Sequence, residues 1–167
     1  MISAQQWVEK MQLKPHPEGG FYSEVYRSAL VLSHQSLPQA YSGSRHASTA
    51  IYYLLQEGDF SAFHRIVSDE IWHHYDGGVL ELYSIDKQGV LHVQYLGKSL
   101  SANVFPFLVI PGDTWFAAQP QQNSVFVLAG CTVAPGFDFV DFEMGSREQL
   151  LTQFPQHTEK INLLTRG

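Results

Sequence analysis

The chain of 167 residues carries a net charge of −6, with 44% hydrophobic and 16% charged residues. That length predicts one domain, residues 1–167, with a core of its own, and the composition excludes a long disordered tract. The acidic balance argues against a nucleic-acid partner, which requires a basic face.

The start, MISAQQWVEKMQL, lacks the apolar core of a signal peptide. No run reaches the ~18 apolar residues of a membrane helix, so a cytoplasmic protein with no membrane partner is expected. Ser3 to Gln12 reads as a short helix: Ser3 and Gln6 match a capping box, and Trp7 and Met11 lie one turn apart. Pro15 and Pro17 end it. In His16 to Ser28, HPEGGFYSEVYRS, the Gly19–Gly20 pair gives a turn and Phe21 to Arg27 a strand. Glu18 before the glycines could face a pocket, but on spacing alone a solvated loop acid is the expectation. Leu30 to Arg45 has no clear periodicity and reads as a surface loop over the mouth of a pocket.

From Ala47 the pattern is all-β. Ala50–Leu55, Ser61–Val67, Glu70–Tyr75, Val79–Ile85, Leu91–Leu96, Phe107–Ile110, Thr114–Ala118 and Ser124–Val133 are strand candidates separated by turn signals. Short strands at this spacing point to a sandwich, jelly roll or barrel. Strands such as Ala50–Leu55 are apolar on both faces, so a second sheet, a helix or another subunit must cover the outer one. Cys131, the one cysteine, allows no intramolecular disulfide and reads as a small buried apolar residue. In CTVAPGFDFVDFEM, three phenylalanines interleave with acids, and Asp141 or Glu143 could face inward. Ser146 to Phe154 reads as a helix with a second capping box, Ser146 and Gln149. The tail is expected to pack Ile161, Leu163 and Leu164 on the body.

Chemically capable side chains crowd into Gly58–Gly77, GDFSAFHRIVSDEIWHHYDG. If this run is two strands around a tight turn, His64, Ile66, Glu70, Trp72 and His74 share one face. His73 then points the other way. The spacing of Gly58, His64, Ile66, Glu70 and Gly77 resembles the first motif of the cupin superfamily, with Ile66 at the position of a second His. PHPEGGFYSEVYRS, TAIYYLL, IPGDTWFAA and GCTVAPGFDFVDFE extend the resemblance to nearly the whole chain. They resemble the small cupin family filed as a domain of unknown function. The resemblance implies a double-stranded β-helix, usually in a homodimer. It also implies a metal site of three His and one Glu, but Ile66 and Phe116 stand at two of the four ligand positions. No cofactor is therefore expected; a divalent metal, if present, would rest on His64, Glu70 and His74.

The expected chemistry is acid–base. Glu70 would orient His64, and His64 would act as general base in proton abstraction beside a carbonyl. Trp72, His74, Trp115, Phe116, Arg65 and Glu143 are the candidate ligand-binding residues, with Arg65 and Arg27 available to a carboxylate or phosphate. The expected protein is a small-molecule-binding cupin. Its activity would be metal-independent epimerisation or isomerisation of a sugar or sugar-nucleotide derivative. The alternatives are a non-catalytic binding module and a metal-dependent oxygenase or isomerase. Fold does not choose among them.

Overall fold

The computed structural model describes residues 2–166. Two six-stranded sheets face each other. The first runs in the order Lys14–Pro15, Phe21–Arg27, Thr49–Gln56, Phe126–Ala134, Asp69–Gly77, Phe107–Ile110. The second runs Val104–Phe105, Leu91–Leu96, Leu80–Ile85, Trp115–Pro120, Ser61–Ile66, Phe142–Met144. Pairing is antiparallel except between Val104–Phe105 and Leu91–Leu96. From Thr49 onward the chain repeatedly crosses from one sheet to the other, which is the jelly-roll path of a double-stranded β-helix. The eight anticipated strands are all present, with no end moved by more than two residues.

The inner faces meet in a core containing Tyr53, Leu55, Trp72, Ile110, Phe116, Leu82 and Val127. Helices at both ends of the chain cover outer faces. The helix Ala4–Lys10 brings Trp7, Val8 and Met11 onto Leu54, Phe126 and Leu128 of the first sheet. Its start is fixed by the capping box: Gln6 N donates to Ser3 Oγ (3.3 Å) and Ser3 N to Gln6 Oε1 (2.9 Å). It stops short of Gln12, whose φ is +52°. On the second sheet, Phe63, Tyr83, Ile85 and Trp115 pack against Leu150 of the helix Arg147–Gln153. Ile161 and Leu164 join them from the helix Thr158–Leu163 and its end, whereas Leu163 is half-exposed and faces away. Among the described residues no helix is long and apolar enough to cross a membrane.

Two readings of the sequence are corrected. The segment 30–45 is a largely exposed loop, as expected, but its Ala40 and Ser42 line a surface groove and none of its residues lines the cavity between the sheets. Arg45 holds both carboxylate oxygens of Asp141 (2.7 and 2.6 Å), and the buried Tyr41 hydroxyl meets Ser68 Oγ at 2.9 Å. And Ser61–Ile66 and Asp69–Gly77 are not one hairpin: the turn at Val67–Ser68 carries the chain from the second sheet to the first. His64 and Glu70 therefore approach the interior from different sheets.

Candidate functional site

At one end of the barrel a cavity of about 850 Å3 opens between the sheets. His64, Glu70, Glu18, His16 and Cys131 line its inner part; Phe137, Phe139 and Phe142 line its mouth. His64 is 2% exposed and Glu70 8%.

The carboxylate within hydrogen-bond distance of His64 is Glu18, not Glu70: Glu18 Oε2 lies 3.0 Å from His64 Nε2. Glu18 is 5% exposed, contrary to the expectation of a solvated acid. The Gly19–Gly20 pair explains how it gets inside. Gly19 has φ +119° and Gly20 +69°, and a Cβ on Gly19 would stand 2.0 Å from the Phe60 carbonyl oxygen. Only glycine permits this left-handed, close-packed passage, which drops Glu18 between the strands. The loop is then tied down. Ala62 N donates to Glu18 O (2.8 Å), Gly20 N to Asp59 Oδ2 (2.8 Å), and Tyr53 Oη to Gly19 O (2.6 Å). Arg166 clasps it from outside, donating to Glu18 O from Nη2 (3.2 Å) and to Phe60 O (2.9 Å).

Both ring nitrogens of His64 are engaged. Nδ1 lies 2.7 Å from the Ala62 carbonyl oxygen, which can only accept, so Nδ1 carries a proton. Nε2 faces the Glu18 carboxylate. Burial pulls the imidazole pKa down, but the charge and hydrogen bond of Glu18 outweigh it and the net shift is upward. Burial likewise pushes Glu18 up, yet the charge and hydrogen bond of His64 bring it below its usual value. Both shifts favour the pair as an imidazolium and a carboxylate. The expected general base is thus a saturated cation, because neither nitrogen holds a free lone pair.

Glu70 is the complementary group. It makes no ion pair among those of the described residues, and faces the Cys131 thiol on the neighbouring strand. Burial raises its pKa, opposed by the charge of His64, to about 7. The Cys131 thiol is itself pushed well up by burial and the nearby Glu70 charge, so it is no nucleophile. His16, whose Nδ1 is 3.7 Å from Glu18 Oε2, is lowered chiefly by burial.

The other candidates are placed elsewhere. Trp72 and Phe116 are core residues packed behind His64 and do not line the cavity: the Phe116 ring centroid is 4.1 Å from that of His64 and meets Trp72 edge-on. His74 does point inward, but toward the far end of its strand, where Nε2 is 2.8 Å from the Gly78 carbonyl oxygen. His73 faces outward against Phe107. Trp115 belongs to the outer layer, with Arg65 4.6 Å above its ring. Arg65 pairs with Glu143 at 2.7 Å, both well exposed, in a separate surface groove. Arg27 is closed by a two-pronged pair with Glu24 (2.7 Å each). Parity along a strand separates inner from outer faces but not one end of a barrel from the other. Glu18, His16 and Phe137 arrive from loops, Phe139 from a short helical turn and Phe142 from the start of an edge strand, and the glycine pair was the one sequence signal for Glu18.

The donor set does not fit a metal ion. A ligating imidazole needs an unprotonated nitrogen, and both of His64's are occupied. Ile66 and Phe116 offer no donor, and His74 does not line the cavity. Among the described residues no three His, Cys, Asp or Glu side chains are grouped to hold one ion.

Two facing sheets on a jelly-roll path, with a polar cluster at one end of the interior, define a cupin. Residues 5–145 match the family described as cupin superfamily (DUF985), and the chain belongs to that family. A crystal structure of a Shewanella oneidensis protein superposes with a TM-score of 0.90 at 36% identity, covering 99% of each chain. A hypothetical protein from Leishmania major gives 0.90 at 32% identity, covering 99% of this chain and 100% of that one. An uncharacterized protein of Saccharomyces cerevisiae is 29% identical over 148 residues, 83% of this chain and 73% of its own. Oxalate decarboxylase from Bacillus subtilis shares the fold at 13% identity and a TM-score of 0.54, over 90% of this chain and 36% of that one.

Proposed function

We propose that the cavity binds a small organic carbonyl compound and moves a proton beside its carbonyl group, as an isomerase or epimerase does. The observation that carries this is the division of labour between two buried carboxyl groups. Glu18 holds His64 as a fixed cation, and Glu70 is left unpaired with a pKa of about 7. Two carboxyls driven apart by their surroundings mark an acid–base site. A base titrating near neutrality is well matched to proton abstraction at physiological pH.

In this reading the Glu70 carboxylate takes the proton from the carbon next to the carbonyl. The C–H electron pair moves into the enolate, whose charge is stabilised by the nearby imidazolium of His64. For an α-hydroxy carbonyl compound, return of the proton to the former carbonyl carbon, with the hydroxyl proton passing to the former carbonyl oxygen, is isomerisation; return to the opposite face of the original carbon is epimerisation. Glu18 is the positioning residue. The reading is tested by deuterium wash-in from heavy water over a panel of aldoses and ketones, followed by NMR. Glu70→Gln should lower the wash-in by at least about a hundredfold, the usual worth of general base catalysis; full wash-in by the variant refutes the role. A second reading, binding without turnover, draws on the aromatic mouth and predicts equal ligand affinity in Glu70→Gln with no wash-in by either protein.

We also propose a second copy of the chain as cover for the open part of the first sheet's outer face. Tyr75, Phe107 and Val109 are exposed there beyond the reach of the N-terminal helix, next to Ile71 and His73. A contiguous apolar patch of this kind marks an interface.

A further inference from the structure

The cavity has more to say about what enters it than about sugars or nucleotides in general. Its mouth is aromatic. Phe137 and Phe139 meet edge to face at 4.9 Å, and Phe142 lies 6.0 Å from Phe139. His16 lies near-parallel to Phe139, at 25° with centroids 6.4 Å apart. Phe139 is 51% exposed, so a large part of its ring is left for a ligand to cover. Between mouth and polar end the wall is aliphatic, with Ile51, Ile66 and Val133.

The two cations deepest in the lining are already paired. Arg27 gives both prongs of its guanidinium to Glu24 and its remaining reach to the Phe137 carbonyl. His64 is matched by Glu18. Lys14 stands exposed at the rim. Against it stand Asp138, whose carboxylate accepts from Val140 N at 3.0 Å, and Glu70. A pyrophosphate or carboxylate entering this space would find no open bidentate partner and a lining that is neutral to negative. A cationic ligand would meet the aromatic mouth favourably, but it would share the rim with Lys14, which has no carboxylate partner among the ion pairs of the described residues.

We infer that the ligand is an uncharged molecule with a planar, aromatic or conjugated ring and a carbonyl group, the ring held at the Phe137–Phe139–Phe142 mouth and the carbonyl directed to His64 and Glu70. The inference rests on the proposed function only in placing ligand and proton transfer in one cavity. It separates this barrel from a site for sugar nucleotides, whose diphosphate the lining does not neutralise.

The experiment compares one ring system carrying three charges. 2-Acetylnaphthalene, 2-naphthoate and 2-naphthylmethylammonium are titrated into the full chain at pH 7.5, with thymidine diphosphate as a fourth probe, and binding is read by calorimetry and ligand-observed NMR. The neutral ketone should bind at least about tenfold tighter than each charged probe, a difference well resolved in dissociation constants. Phe139→Ala should weaken the ketone by about fivefold or more, as loss of a stacking wall does. Phe139 is half-exposed, so this variant keeps its core. Tighter binding of naphthoate, of the ammonium probe or of thymidine diphosphate overturns the inference. So does a ketone that fails to bind at millimolar concentration, or that binds Phe139→Ala unchanged. Because binding is read without turnover, absent deuterium wash-in would remove the proton-transfer reading and leave this one standing.

Discussion

Glu70→Gln isolates the energetic signature of the unpaired carboxyl. In the folded chain Glu70 has a pKa of about 7, raised from 4.5 mainly by burial and partly restrained by the charge of His64. The folded carboxyl thus holds its proton more tightly than the unfolded one. Between pH 4.5 and about 7 the folded state keeps a proton that the unfolded state has released, so stability falls as pH rises through this window. Above it the whole cost is present. A shift of this size corresponds to about 3 kcal/mol. Glutamine keeps the shape and a hydrogen-bonding head but cannot ionise. The assay is urea denaturation of both proteins at pH 5 and pH 8.5. Other titrating groups largely cancel in the comparison. Relative to the native chain, the variant should gain about 2.5 kcal/mol between the two pH values. A stability difference that does not change with pH would refute the reasoning, since it would mean Glu70 is solvated or paired in the folded state.

Glu18→Gln leaves the buried imidazolium without its anion and should cost roughly 3 kcal/mol. The loss is largest between pH 4.5 and 6.5, the ordinary values of the two groups. It fades above the raised pKa of His64, where the ring is neutral, and below the lowered one of Glu18; urea melts and NMR titration of His64 check this. Gly19→Ala must place a Cβ 2.0 Å from Phe60 O at φ +119°. It should destabilise by at least about 2 kcal/mol and, if the chain still folds, lower the pKa of His64 as Glu18 withdraws. Dialysis against EDTA should leave the thermal midpoint unchanged; stoichiometric iron, manganese, zinc or nickel in protein purified without a metal column contradicts the donor argument. Sedimentation at micromolar concentration should give a dimer, and Phe107→Glu a monomer; a monomeric native chain removes the proposed interface.

The fold was legible because its signals are local. Alternating apolar runs between Gly, Pro and Asn turns marked the strands, and Ser3 and Ser146 marked the helix starts, each accepting from the backbone nitrogen three residues on. The inward set His64, Ile66, Glu70, Trp72 and His74 was also legible, since all but Ile66 and Trp72 are polar and all five are buried. What parity could not supply was depth along the barrel. It grouped His74 with His64 although only His64 reaches the cavity. Taking both Trp115 and Phe116 as ligand-binding ignored parity, since adjacent strand residues face opposite ways and the two fall in different core layers. The partner of His64 was hidden for a different reason. Glu18 lies far upstream in a loop, and its burial depends on backbone angles that Gly19 and Gly20 permit but do not announce.

The clasp made by Arg166 sets an order of events during synthesis. The strands that carry His64 and Glu70 have left the ribosome long before the residue that fastens the Glu18 loop to Phe60 and Asp59. Folding that proceeds from the N-terminus as the chain emerges can thus raise the barrel first and lock its acid in place last, so that the nascent chain passes through a formed but unarmed stage.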